Sequence, residues 1–178
     1  KEIKGATVRA LDEDPVEFVG SWSSGGAMNT GRRDLAATGL QTAGLAIGGF
    51  IPPYSALTET YNGSSWTETG DLNVAKRGMA SFGTYTAALV AGGYGSPTQL
   101  ATAETFDGSS WTEVGDMNTA RNNPEGAQYS PQTAGLIFGG YSPSAYLAIT
   151  ESWNGSAWTE VNDTNEGGVR RGSFGTYT

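Results

Sequence analysis

Residues 87–115 read AALVAGGYGSPTQLATAETFDGSSWTEVG, and the features of this stretch occur three times in the chain in the same order. An apolar run ends in a glycine doublet and an aromatic residue, and an alternating segment then leads through Asn-Gly or Asp-Gly to a tryptophan. Self-similarity at a period of roughly 20–50 residues is typical of repeat architectures. The doublets are Gly48-Gly49, Gly92-Gly93 and Gly139-Gly140, and the tryptophans are Trp22, Trp66, Trp111 and Trp158, spaced 44, 45 and 47 residues apart.

Each repeat predicts four short strands. In the first repeat these are a segment of small residues at 33–40, an apolar run at 42–49, an alternating segment at 56–61 and the segment that begins at Trp66. The apolar run is too short for an ordinary helix and fits a strand that is buried on both faces. The dipeptide Asn62-Gly63 supplies turn residues that tolerate a positive φ, which closes a hairpin. We therefore predict an all-β fold of four-stranded antiparallel sheets.

A glutamate recurs in the middle of every alternating segment. These residues are Glu59, Glu104 and Glu151. A residue that occupies the same position in each repeat cannot define a single active site, so we interpret the glutamates as structural groups that satisfy backbone donors or pair with an arginine. The arginines predicted as their partners are Arg33, Arg77, Arg121 and Arg171. The tryptophans and the glycine doublets are interpreted as structural as well, because a large ring is best used to hold neighbouring sheets together.

A glycine doublet, an aromatic residue and a tryptophan at this spacing resemble the repeat of the kelch family of β-propellers. The resemblance covers the chain from about Phe18 onward and implies a kelch-type propeller of four-stranded antiparallel blades. The sequences of residues 28–46 and of GATVRALDEDPVEFVGSW at 5–22 are similar to those of kelch-like repeat proteins of marine bacteriophages, especially those that infect cyanobacteria. In that group, such chains are regarded as virion or tail-fibre components.

The repeats divide the chain into an arm or attachment segment at 1–17 and a repeat region at 18–178. The complete units are predicted at about 25–69, 70–114 and 115–161; a closing strand at 18–24 and a partial unit at 162–178 add two stray strands. Three blades and two strands do not close a propeller of about 4–8 blades. We expect the sequence to be a fragment of a longer ring, or a ring that another chain closes.

Composition disfavours several functions. The net charge is −8 and the pI is near 4.4, which disfavours nucleic acid as a partner. No apolar run reaches the length of roughly 20 residues that spans a bilayer, so we expect no membrane insertion. The chain has neither Cys nor His, which removes thiolate nucleophiles, imidazole bases and the commonest metal ligands. We accordingly predict no catalytic residue, no metal site and no cofactor, and the protein is not expected to be an enzyme.

The connections between the second and third strands differ from repeat to repeat, whereas the strands hardly do. Variable loops on a rigid scaffold commonly carry function, and aromatic rings beside polar groups suit the faces of sugars. An equal alternative is that these rings only cover the blade below them. The residues of this predicted binding surface are Phe50, Tyr54, Tyr94, Tyr141 and Tyr146.

Taken with the resemblance, these features predict a non-enzymatic phage virion protein, a tail fibre or surface appendage that adheres to a glycan or protein of the host surface. Its partners would be other virion proteins and that host molecule, and its location the surface of the virion. One alternative is a purely architectural or protein-interaction scaffold, and secretion or display on a cell surface is the alternative location. A second alternative is a fragment of a carbohydrate-active propeller enzyme.

Overall fold

A computed structural model describes residues 24–169 of the 178-residue chain. Within these residues all regular structure is β-strand, and no helix occurs. Sheet 1 consists of β1 (Ala36–Leu40), β2 (Ala43–Gly49), β3 (Ser55–Tyr61) and β4 (Trp66–Glu68). Next come β5 (Ala80–Thr84), β6 (Ala87–Ala91), β7 (Tyr94–Gly95), β8 (Thr98–Gln99), β9 (Ala103–Phe106) and β10 (Trp111–Val114). Sheet 3 consists of β11 (Glu125–Gly126), β12 (Gly135–Phe138), β13 (Thr150–Trp153) and β14 (Trp158–Val161).

The three large sheets have the same topology. Sheet 1 runs β1-β2-β3-β4, sheet 2 runs β5-β6-β9-β10 and sheet 3 runs β11-β12-β13-β14, and every neighbouring pair is antiparallel. The short β7–β8 ribbon lies in the connection between the second and third strands of sheet 2. The predicted all-β fold of four-stranded antiparallel sheets is confirmed. The predicted arm at 1–17, the Trp22 strand at 18–24 and the strand at 170–178 lie outside the described residues, apart from residue 24.

The hairpin that joins the third and fourth strands is built by one side chain. In sheet 1, Asn62 Oδ1 accepts the backbone N–H groups of Ser64 and Ser65, both at 3.0 Å, and Gly63 takes a φ of +96°. Asp107 and Asn154 repeat this arrangement in sheets 2 and 3. A side-chain acceptor followed by a residue with positive φ is the reason that Asn-Gly and Asp-Gly recur here.

The hydrophobic core lies between consecutive sheets. Leu45 and Ile47 of sheet 1 pack with Phe106 and Trp111 of sheet 2, and Leu72 from the linker between these sheets joins them. A second cluster repeats this between sheets 2 and 3, where the rings of Trp153 and Trp158 meet the apolar residues of β6. The linkers that cross these two interfaces contribute Leu72 and Met117 to them.

The first strands of the three sheets lie side by side. Ser81 of β5 donates from Oγ to the carbonyl of Ala37 in β1, at 2.9 Å. The backbone N–H of Gly78 donates to Asp34 O at 2.9 Å, and that of Asn123 donates to Gly78 O at 2.7 Å. The small residues predicted in these strands follow from this close approach of backbones, since each added side-chain atom would meet a neighbouring strand.

Candidate functional site

The recurring glutamates hold the linkers in place. Glu104 is fully buried in β9, and its Oε2 accepts the backbone N–H of Asn73 at 2.7 Å and the Asn73 side-chain amide at 3.0 Å. The same amide donates to Trp111 O at 3.1 Å. Lys76 Nζ forms an ion pair with Glu104 Oε1 at 3.0 Å and also donates to Thr102 Oγ1 at 3.2 Å. We call this arrangement of glutamate, asparagine and cation the linker latch.

The latch occurs in all three sheets. Glu59 accepts the backbone N–H of Asn29 at 2.7 Å and forms an ion pair with Arg32. Glu151 accepts the backbone N–H of Asn118 at 2.7 Å and pairs with Arg121 at 2.9 Å. All three carboxylates and all three cations are buried. Each linker is thereby fixed to the sheet that follows it.

Two of the predicted partners of the glutamates are wrong. Arg32 and Lys76 replace the expected Arg33 and Arg77, whereas Arg121 is the partner that the repeat pattern indicated. The expected Arg171 lies outside the described residues. The error is one residue of register, because Arg33 forms a backbone bridge with Phe50 and its side chain lies over that ring. The missed signal is Asn-x-x-Arg or Asn-x-x-Lys, which starts at Asn29, Asn73 and Asn118.

Burial and hydrogen bonding act against each other on the latch carboxylates. Burial acts to raise the pKa of Glu59, but the Arg32 guanidinium and the N–H groups of Asn29 and Thr30 outweigh it and leave the pKa below its usual value. Burial lowers the pKa of Lys76, and the charge of Glu104 opposes this shift. A buried charge is tolerated here because it is paired and hydrogen-bonded.

The glycine doublets lie where a linker crosses the end of the second strand. Gly92 and Gly93 have φ values of +71° and +105°, and Gly93 N donates to Arg121 O at 2.9 Å. A Cβ on Gly92 would lie 2.8 Å from that carbonyl and 2.9 Å from Met117 Cε. Both the backbone conformation and the close approach therefore require glycine.

Three of the predicted binding residues form one aromatic cluster. The ring centroids of Phe50 and Tyr54 are 5.5 Å apart, and those of Tyr54 and Tyr94 are 5.9 Å apart. The Arg33 guanidinium lies 4.6 Å from the centroid of Phe50, and the Arg77 guanidinium lies 5.8 Å from that of Tyr94. Arg33 is exposed and the other four side chains are partly exposed, so this cluster of rings and cations is accessible from solvent.

Tyr141 and Tyr146 form a separate pair at the corresponding place in sheet 3. Their ring centroids are 5.4 Å apart, and Tyr146 is 64% exposed. They line an open cleft of about 380 Å³ together with Asn122 and Asn123. No ring contact among residues 24–169 joins this tyrosine pair to the aromatic cluster. The predicted surface is therefore two patches, each beside a glycine doublet.

A third surface lies at the other end of the second strands and was not predicted. The turns between first and second strands surround an apolar hollow of about 440 Å³, lined by Leu40, Tyr85, Tyr129 and Pro131 among others. Leu40 and Tyr129 are 68% and 66% exposed. These residues are far apart in the sequence and belong to turns of unequal length, so no repeat pattern marks them.

No protein family and no curated protein matches this sequence. Residues 24–169 contain no cluster of three or more acidic side chains that could hold a metal ion. No helix long and apolar enough to cross a membrane occurs in the same part of the chain.

Proposed function

We propose that the three sheets are blades of a kelch-type β-propeller, and that the chain is a non-enzymatic bacteriophage virion protein, a tail fibre or surface appendage that binds a glycan or protein of the host surface. Its repeat sequence resembles that of kelch-like proteins of marine phages. Support for the blades comes from identical sheets whose faces pack on one another and whose first strands lie side by side.

The observation that carries the binding proposal is the tyrosine pair in its cleft. Tyr146 exposes 64% of its surface, and Asn122 and Asn123 line the cleft beside the two rings. Aromatic rings can pack on the apolar faces of sugars, and amide groups can form hydrogen bonds with the sugar hydroxyl groups. Together they make a chemically suitable site for a glycan. Because the cleft lies on a connection fixed by a rigid sheet, it needs little ordering on binding.

The recurring carboxylates favour binding over catalysis. The latch glutamates are the most obvious acids in the sequence, and all three are buried and occupied by the linker. A catalytic acid or base must reach a proton on its substrate, within hydrogen-bond distance or through one water. These residues are placed to stabilise the fold and not to meet a substrate.

The aromatic cluster of Phe50, Tyr54 and Tyr94 favours the architectural alternative. Its rings are only partly exposed and contact each other, and Arg77 is already paired with Asp34 at 2.8 Å. The rings and Arg77 already have partners within the protein, so this cluster is suited to covering the ends of the sheets and not to binding a ligand. We therefore expect substitutions in the tyrosine pair to weaken binding and substitutions in the aromatic cluster to leave it unchanged.

The test is the binding of the purified chain to cyanobacterial cells and to a glycan array. We expect Tyr141→Ala/Tyr146→Ala to weaken binding at least tenfold, whereas Tyr85→Ala, at the opposite end of the second strands and 41% exposed, serves as the matched control and leaves it unchanged. Loss of binding with Tyr85→Ala alone would move the site to the apolar hollow. No binding to either probe would favour the architectural role, and hydrolysis of an array glycan would favour the enzyme alternative.

A further inference from the structure

Consecutive sheets meet through the same two faces. The leading face of a sheet carries the aromatic residue of its third strand and the tryptophan of its fourth, which are Phe106 and Trp111 in sheet 2. The trailing face carries alternate apolar residues of the second strand and a residue of the third, which are Leu45, Ile47 and Thr58 in sheet 1. The leading face of sheet 3 packs on the trailing face of sheet 2 in the same way.

The leading face of sheet 1 is less covered than its counterparts. Tyr61 and Trp66 are only partly buried, whereas Phe106 and Trp111, in the same positions of sheet 2, are 0% and 6% exposed. Met28, the linker residue beside this face, is also partly exposed, while its counterpart Leu72 is buried. Tyr61 and Trp66 line an open depression of about 480 Å³, which Gln128 and Tyr129 from the first turn of sheet 3 also border.

The trailing face of sheet 3 is likewise less covered than its counterparts. Leu136 and Phe138 are partly exposed, whereas Leu45 and Ile47, in the same positions of sheet 1, are completely buried. Phe138 is paired with Thr150 across the strands, so these side chains share one face. Each end of the stack therefore presents one half of an interface that the chain forms twice internally.

A buried hydroxyl on this trailing face lacks its partner. Thr150 is 6% exposed, and its Oγ1 makes no hydrogen bond. Its counterpart Thr58 accepts the indole N–H of Trp111 at 3.0 Å. In sheet 2 the counterpart is Ala103, which has no hydroxyl, and Trp158 donates to Gly115 O instead. Thr150 therefore occupies the position that accepts an indole N–H in sheet 1, but it has no such donor within residues 24–169.

We propose that the trailing face of sheet 3 binds the leading face of sheet 1 in a second copy of this chain. Trp66 now donates to Gly26 O, as Trp158 does to Gly115, and the Trp111 arrangement provides the alternative acceptor. Two copies joined head to tail bring both of these faces of each chain into contact. Counting residues 24–169 alone, two copies supply six sheets, a number within the range of about 4–8 blades found in propellers.

This inference rests on the radial stacking in the proposed function and not on host binding. Its test is the mass of the 178-residue chain in solution, measured by light scattering and sedimentation over a range of micromolar concentrations. We expect twice the 18.5 kDa of one chain. A chain that remains single, or one that forms larger assemblies, would overturn the two-copy ring. Failure to bind cells would leave this result unaffected.

Face-specific variants decide the mode of association. Trp66→Glu and Phe138→Glu should each give single chains, and Tyr146→Ala, the matched control outside both faces, should stay paired. An equimolar mixture of the two glutamate variants should again form pairs, because each retains the face that the other lacks. Pairing of either variant with itself would overturn the head-to-tail arrangement. Retained β-sheet circular dichroism and a cooperative thermal transition show that each variant is folded.

Discussion

Sheets 1 and 2 have the same strands, the same hairpin and the same aromatic pair, but a different neighbour. The rings of Tyr61 and Trp66 are 4.9 Å apart and those of Phe106 and Trp111 are 5.0 Å apart, so the geometry within a sheet does not depend on what covers it. Burial does depend on it, since only the second pair lies under another sheet. Sequence repeats set the shape of each sheet, and stacking supplies the stability.

The largest expected difference concerns the two tryptophans. Trp111→Ala should lower the free energy of unfolding by about 3–5 kcal/mol, because it removes a large ring from a packed interface. Trp66→Ala should lower it by clearly less when single chains are compared, because its ring is only partly buried. Urea denaturation at low protein concentration measures both. Equal losses would show that stacking does not distinguish the two sheets.

The linker latch of sheet 2 should come next. Glu104→Ala leaves the buried Lys76 without its counter-charge, and we expect a loss of about 3 kcal/mol in the same measurement. Glu68→Ala, an exposed glutamate on β4 of sheet 1, is the matched control and should change stability by less than about 0.5 kcal/mol. Adding Lys76→Met to Glu104→Ala should recover part of the loss. If it does not, the buried charge is not the cause.

A smaller effect is expected at the glycine doublet. Gly92→Ala forces a positive φ on a residue with a Cβ and pushes that atom against the Arg121 carbonyl, which should destabilise the fold by about 1–3 kcal/mol. Gly31→Ala has no atom within 4 Å of the new Cβ and should be neutral or slightly stabilising. Thermal denaturation of the two variants separates them. A neutral Gly92→Ala would mean that the linker does not cross there.

The smallest effect concerns two carboxylates of opposite behaviour. The pKa of Glu59 is lowered, so the stability it contributes is present above its unfolded pKa, about 4.3, and is lost as the pH falls through the folded value. Burial raises the pKa of Glu125, so its ionisation opposes folding at neutral pH. Glu125→Gln should be more stable than the parent chain at pH 7 and equal to it below about pH 4. Unfolding curves at both pH values test this, and a destabilised Gln variant at pH 7 would contradict it.

The sheets could be predicted because their signals are local. Alternation places Glu59 and Tyr61 on one face, and Asn62-Gly63 marks its own turn. Two of the three latch cations, Arg32 and Lys76, were missed by one residue, because the path of the linker decides whether Arg32 or Arg33 points at the carboxylate. The apolar hollow could not be predicted at all, since it forms only when turns from separate repeats come together.

The stacking of sheets through tryptophan is tested most directly by the exchange of the indole N–H with deuterated solvent, followed by NMR. Trp111 Nε1 donates to Thr58 Oγ1 at 3.0 Å inside the interface. In the Phe138→Glu variant, which we expect to remain a single chain, its signal should persist long after that of the more exposed Trp66 has gone. Trp→Phe variants assign the two signals. Exchange of Trp111 at the rate of a free indole would contradict the packing of sheet 2 on sheet 1.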